Sequence, residues 1–296
     1  MLIRGAAALL TGAAPGPDGA AARSTATDLR IAADGTIAEM GRGLAPAAGE
    51  RVLDASGCVV YPGWVNTHHH LFQSLLKGVP AGIDQTLGPW LQAVPFRWRG
   101  AFADERRLRL AARIGIVELM RSGCTTVADH HYLYWPGLGH DPAEVLFDEA
   151  QRLGVRFMLL RGGGTVSRTG ADTTLPHQKP ETLDAMLADL GRLASCFHQR
   201  GPRAMQRVAF APTTITLALR PDELRPAARA ARTLGVPLHS HMSETVGYYE
   251  HCAERFGGRL PIEVCAEHEW LGPDVWFAHL VHLSASERRL LAETRT

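Results

Sequence analysis

From Pro62 onward the chain repeats one pattern, an apolar strand-like run followed by a loop and an amphipathic helix, and no other feature narrows its fold as far. The strand-like runs fall at 63–67, 125–129, 156–161, 207–212, 237–241 and 275–279. Helical patterns lie between them at 105–122, 141–153, 180–197, 221–234 and 260–271, and a last one starts at Ser284. Asp141-Pro142 and Pro221-Asp222 are helix-start signals, and Gly123, Gly154 and Gly235 stand at helix exits. Strands that alternate with helices pair in parallel, each βα unit laying its helix over the sheet. Six such units are predicted.

Residues 1–61 follow another grammar. Short runs beginning at Asp28, Thr36, Arg51 and Cys58 are separated by Gly, Pro and Asp turns. They predict a small N-terminal β-sandwich unit over 1–61, ahead of a partial (β/α) barrel over 62–296. The Pro/Gly/Ala-rich stretch 13–22 reads as an exposed loop, and the apolar start over 1–14 as a first strand and turn rather than a signal peptide. The 31 basic and 30 acidic residues leave a formal charge of +1, so no overall field steers the chain to nucleic acid or an anionic membrane. No apolar run of about 18 residues offers a bilayer span. Five scattered cysteines, never in CxxC spacing, fit a reducing compartment, and a cytoplasmic location is expected.

A doubly wound sheet gathers its site at one switch point, whereas in a TIM-type (β/α)8 barrel nearly every strand contributes at its C-terminal end. Here strand after strand ends in a polar group: His68 and His70, Asp129 and His130, Arg161, Thr213, His241 and Glu244, and His279. The barrel accounts for this better, with two of its eight units lacking. No GxGxxG follows a strand, and Gly162-Gly163-Gly164 has no phosphate fingerprint.

Fourteen histidines carry the chemical signal. In Asn66-Thr67-His68-His69-His70, positions two apart on a strand project to one face, so His68 and His70 point inward together and His69 points away. His239-Ser240-His241 repeats the device, with His241 nearer the strand end, and Glu244 follows on the loop, free to reach over a ligand. Two such pairs on separate strands predict a metal site. His279, ending the sixth strand, is placed to polarise a substrate oxygen or help activate water, whereas His282 reads as a loop residue. A divalent ion on three imidazoles keeps a position open for water and lowers its pKa toward neutrality. The resulting hydroxide attacks an sp² carbon bearing an amine, amide or halide, while a carboxylate such as Glu244 moves protons to a ring nitrogen and the departing ammonia. Imidazole ligands suit zinc and iron alike.

Four segments, in order, resemble the amidohydrolase superfamily: Pro62-Gly63-Trp64-Val65 running into His70, Ser122 to Asp129, His239 to Thr245, and Ala278-His279-Leu280-Val281-His282-Leu283. Leu71-Phe72-Gln73, the stretch from Asp129 to Tyr134 and Arg161-Gly162-Gly163 make the cytosine deaminase and chlorohydrolase-like branch the nearest pattern, closest to its 8-oxoguanine deaminases. The resemblance covers the whole chain. It implies a deaminase with one divalent metal ion, zinc or iron, acting on a small aza-aromatic substrate, and a fold that often forms homodimers. It implies His68, His70 and His241 as metal ligands, Glu244 and His279 as catalytic groups, and Gln73, Trp90 and Arg161 as substrate contacts. Gln73 equally fits loop packing, Trp90 a lid or core aromatic, and Arg161 a pairing with a nearby carboxylate. Triazine, isocytosine, pterin and S-adenosylhomocysteine-type deaminases and chlorohydrolases of the same branch are the alternatives.

The family pattern also calls for an aspartate ending an eighth strand as the remaining ligand and base. The chain reaches Thr296 in the helix after the sixth strand, and Asp129 lies on the wrong strand to replace it. The expectation is therefore an incomplete copy of the enzyme, and the competing one an inactive fragment that binds metal or a partner.

Overall fold

Turn residues every few positions keep the strands of the N-terminal unit short. The computed structural model describes residues 1–13, 23–168 and 170–296. It divides into two units, Met1–Trp64 and Val65–Thr296. In the first, β1 (Leu2–Arg4), β4 (Asp28–Ile31), β5 (Ile37–Gly41) and β6 (Val52–Asp54) form a sheet in the order β5-β4-β1-β6. A second sheet joins β2 (Ala8–Leu10), β3 (Arg23–Ser24) and β7 (Val59–Val60) in the order β3-β2-β7. The core between them centres on Ala6, Leu9 and Ala55. Buried Asp28 ties two loops, accepting from Gly5 N and Leu44 N at 2.8 Å each. The loop expected over 13–22 lies, Ala13 apart, outside the described residues.

The second unit is built on six strands: β8 (Trp64–His69), β9 (Cys124–His131), β10 (Arg156–Arg161), β11 (Gln206–Phe210), β12 (Leu238–Met242) and β13 (Val275–His279). They stand side by side in chain order, and each pair from β9 to β13 is parallel. The sheet curls until its ends approach, so that Trp276 on β13 donates its indole N–H to the Thr67 carbonyl of β8 at 3.1 Å. This is the nearly closed, six-stranded form of the expected barrel. Alternation sorts the strand residues into two layers. Val127, Phe157, Leu159, Val208, Phe210 and Leu238 face outward into the main core. Ala128, Leu160, Ala209 and Ala211 face inward with Met158 and Trp276. The small alanines leave room at the centre for rings at the strand ends.

The outer layer consists of α2 (Glu105–Arg121), α3 (Pro142–Leu153), α4 (Leu183–Phe197), α6 (Leu224–Leu234), α7 (Val246–Arg255), α8 (Pro261–Glu267) and α9 (Ala285–Thr294), with the short α1 (Leu87–Leu91) and α5 (Ile215–Ala218) in loops. Asp104, Asp141, Thr182, Thr245 and Ser284 cap α2, α3, α4, α7 and α9 with their side chains. Gly154 and Gly235 end α3 and α6 in the left-handed conformation. The Thr182 cap makes α4 begin at 183 rather than 180. The Pro221 segment opens as a 3-10 turn before α6. Helix α8 stops at Glu267 because buried Trp270 turns in to donate to the Leu224 carbonyl at 2.8 Å. Helix α7 was not expected, since only Tyr248 and Cys252 bury along it and its apolar stripe is too thin to read. Among the described residues no helix is long and apolar enough to cross a membrane, and all five cysteines are free.

The glycine run after β10 is a packing device. A Cβ on Gly162 would lie 2.7 Å from the His131 carbonyl and 2.8 Å from Tyr132 Cβ. One on Gly164 would lie 2.8 Å from the Ala218 carbonyl. The β10 loop can therefore press against its neighbours only without side chains. Gly162→Ala is expected to cost about 1–3 kcal/mol by overpacking, read as a lower urea midpoint; an unchanged midpoint would contradict the close approach.

Candidate metal centre

At the C-terminal ends of the strands the imidazoles are fixed by backbone carbonyls. His70 donates from Nδ1 to the His130 carbonyl at 2.7 Å, and His239 from Nδ1 to the Trp276 carbonyl at 2.9 Å. His241 donates from Nδ1 to the Thr213 carbonyl. A carbonyl can only accept, so each ring carries its proton on Nδ1 and leaves Nε2 with a lone pair. His239 Nε2 then accepts from His68 Nδ1 at 2.9 Å, which sets the same tautomer on His68. Burial keeps these rings neutral by opposing the charged form. It pushes His68 down to about 2, His239 to about 3 and His241 to about 4, with the neighbouring imidazoles adding to the effect. His70, fully buried, lies well below its ordinary range for the same reason.

The consequence is an arrangement that a proton could satisfy only by burying a charged ring. His70 Nε2 and His241 Nε2 face each other at 3.1 Å, both as acceptors. Tetrahedral zinc with bonds of 2.0–2.1 Å sets its ligand nitrogens about 3.3 Å apart, so the spacing is that of two ligands on one ion. His68, His241 and His279 offer atoms within 4.8 Å of one another, as do His70, His130 and His241. His130 donates Nε2 to the Ala211 carbonyl at 2.9 Å and keeps a buried Nδ1 with no partner among the described residues. Neutral imidazoles with converging lone pairs and an orphaned nitrogen fit a divalent cation.

Of the expected ligands, His241 belongs to both groups, while His68 and His70 fall one in each, with their rings 4.7 Å apart. His239 turns out to be the group that orients His68. His130 was not singled out as a site residue, although it shares inward parity with Ala128 on β9. Asp129, with the opposite parity, is fully buried, accepts from Leu71 N at 2.6 Å, and is pushed up to about 7 by burial.

Glu244 and His279 meet across the loops that follow β12 and β13, with Oε1 and Nε2 3.6 Å apart. Both loops turn through strained backbone. Ser243 has φ 52°, His279 φ 78° and Leu280 φ 53°, the left-handed region that non-glycine residues avoid. The Ser243 carbonyl accepts from Val281 N and His282 N, which clamps one loop to the other. Burial raises the Glu244 pKa, partly opposed by His279.

Gln73 and Trp90 line one cavity of about 290 Å³ together with His69 and His70. Gln73 Nε2 also donates to the Tyr132 hydroxyl at 3.2 Å. Arg161 is placed differently. It is 2% exposed, and its guanidinium bonds Glu181 at 2.6 and 2.9 Å, Asp189 at 3.0 Å and the Gly162 carbonyl at 2.7 Å. It stacks 4.0 Å over the Tyr134 ring. The pairing with carboxylates therefore occupies it.

A protein named isoxanthopterin deaminase, from an unknown prokaryotic organism, is 55% identical over 296 residues, all of this chain and 60% of that protein. An 8-oxoguanine deaminase of Pseudomonas aeruginosa is 37% identical over 268 residues, 90% of this chain and 58% of that one. The crystal structure of an atrazine chlorohydrolase from Arthrobacter aurescens complexed with zinc superposes with a TM-score of 0.85 at 25% identity, covering 99% of this chain and 63% of that one. The chain thus spans about three-fifths of the length of the relatives it matches. The amidohydrolase family pattern matches residues 59–296, which include every histidine of the cluster. With this match and the shared barrel, the chain belongs to the amidohydrolase family.

Proposed function

We propose that this chain carries the metal centre of an aminohydrolase that removes an amine from a fused, oxo-bearing aza-aromatic ring of pterin or purine size. The observation that carries the reading is the pair of facing lone pairs on His70 and His241, 3.1 Å apart, which a metal ion satisfies, whereas a further proton would leave a buried imidazolium that the site disfavours. The 55% identity to a protein named for isoxanthopterin, against 37% to one named for 8-oxoguanine, favours a pterin over the purine that the motifs suggested first.

His68, His70 and His241 hold the ion, zinc or iron, and His239 keeps His68 in its ligating tautomer. The bound ion supplies Lewis-acid activation of water. Glu244, whose pKa burial raises, stands where it can give a proton to a ring nitrogen as water adds to the amine-bearing carbon. It then takes up the proton released by the added water and passes it to the amine, the C–N bond breaks, ammonia leaves and a lactam remains. His279, 3.6 Å from Glu244, orients that carboxylate. Gln73 and Trp90 form a wall beside His70 against which the ring lies.

Removal of one ligand separates binding from chemistry. In the complete protein His241→Ala is expected to drop metal content from about one ion per chain to near zero by elemental analysis, since two imidazoles no longer close the site. Glu244→Gln is expected to keep its metal and lose roughly two or more orders of magnitude in kcat; retained turnover would refute the proton-transfer role. His239→Ala, which leaves every ligand in place, is expected to weaken metal affinity about 10–100-fold, measured by competition with a chelator. An ammonia-release panel tests the substrate class: isoxanthopterin is expected to exceed 8-oxoguanine in kcat/KM, and no release from any aza-aromatic would overturn the deaminase reading.

A further inference from the structure

Beside Tyr132 the second unit buries positive charge with no counter-ion of its own among the described residues. Arg99 is 7% exposed, its Nε has no partner among the described residues, and its one polar contact is a 3.5 Å approach of NH2 to the Tyr132 carbonyl. Arg168 lies 3.9 Å over the ring of Phe96, three residues before Arg99, with NH1 buried and unpartnered. The two guanidiniums repel each other, which with burial pushes Arg99 down to about 10, still a cation at neutral pH. Both arginines also act on His177, which packs beside Gly100 and Trp135. Glu181, the carboxylate that acts on Arg99, is already held by both arms of Arg161 at 2.6 and 2.9 Å.

Burying a guanidinium with open N–H groups is costly unless an acceptor arrives. Stacking on Phe96 satisfies the face of Arg168 and none of its donors. The place is also joined to the metal centre. The Tyr132 ring lies 5.4 Å from that of His70 and 5.7 Å from that of His130, and its hydroxyl bonds Gln73. Both guanidiniums act on the Tyr132 phenol, so a planar ring with its amine at the histidines and its body along Tyr132 reaches toward the arginines.

We propose that Arg99 and Arg168 form an oxyanion subsite that takes the ionised lactam oxygen on the edge of the substrate ring remote from the departing amine. Rigid guanidinium forks suit such an oxygen and its adjacent ring nitrogen better than an ammonium would. The subsite rests on the deaminase reading and deepens it. It selects fused rings with a second oxo group over rings that lack one.

The test is fluorescence titration of the complete, zinc-loaded protein with two pteridines, the 2,4,7-trione and the 2,4-dione, which differ by that one oxo group. The wild type is expected to bind the trione about 10–100-fold more tightly, the worth of one or two charge-assisted hydrogen bonds. Arg168→Gln, at a half-open position that tolerates change, and Arg99→Gln are each expected to cut this preference to within about threefold while leaving dione affinity within about threefold. A preference that survives both substitutions, or an equal loss for both pteridines, overturns the subsite. A wild type that releases ammonia from isoxanthopterin yet shows no preference overturns the subsite alone. One that binds neither pteridine and releases no ammonia overturns the deaminase reading with it.

Discussion

The donation of imidazole Nδ1–H to strand-end carbonyls is the interaction on which the rest of the site depends. It exists because neighbouring strands stand side by side in chain order, with His239 on β12 directly opposite Trp276 on β13. Neighbouring carbonyls, of His130 on β9, Thr213 past the end of β11 and Trp276 on β13, thus come against His70, His241 and His239. Each bond fixes a tautomer as well as a ring orientation, and His239 passes the choice on to His68. The result is a set of unprotonated nitrogens in a buried space, an arrangement that costs stability until a cation enters. A ligand that binds only the folded state stabilises it by mass action, about 4 kcal/mol at a thousandfold excess over Kd. Metal binding and barrel stability are therefore coupled in this chain.

The barrel supplies the space and the loops bring Glu244 over it. Ala128, Ala209 and Ala211 keep the interior below the histidines narrow in side chain, so that several imidazoles fit above them. The left-handed residues Ser243 and His279 then fold the loops back over the strand ends, where Glu244 meets His279. Strain of this kind persists only when surrounding contacts over-determine it, and the clamp of Val281 and His282 on the Ser243 carbonyl is such a contact.

The parts legible in the sequence were those with a local period. His68 and His70, and again His239 and His241, announced a shared face because strand parity is fixed by two-residue spacing. The alternation of strand and helix announced the parallel sheet, and its six strands lie where the apolar runs placed them to within a few residues. A lone inward histidine such as His130 has no period to mark it as a ligand, and on β9, buried along nearly all its length, it reads in the sequence only as one of the polar strand ends. Helix α7 escaped notice because one Tyr and one Cys are a weak stripe. The arginine pair was beyond reach for a different reason. Arg99 and Arg168 come from two irregular segments, and only the packing of Phe96 and Tyr132 reveals that neither has a carboxylate.

The account turns on the tautomers, and long-range 15N–1H NMR of histidine-labelled protein reads them directly, first without metal and then with zinc. The predicted spectrum shows His68, His70, His239 and His241 protonated on Nδ1 with bare Nε2 atoms before metal is added. Zinc should then shift Nε2 of His68, His70 and His241 strongly and that of His239 little. Protons found on Nε2 of His70 or His241, or no response of those nitrogens to zinc, would contradict the claim that the strand-end carbonyls preset a metal centre.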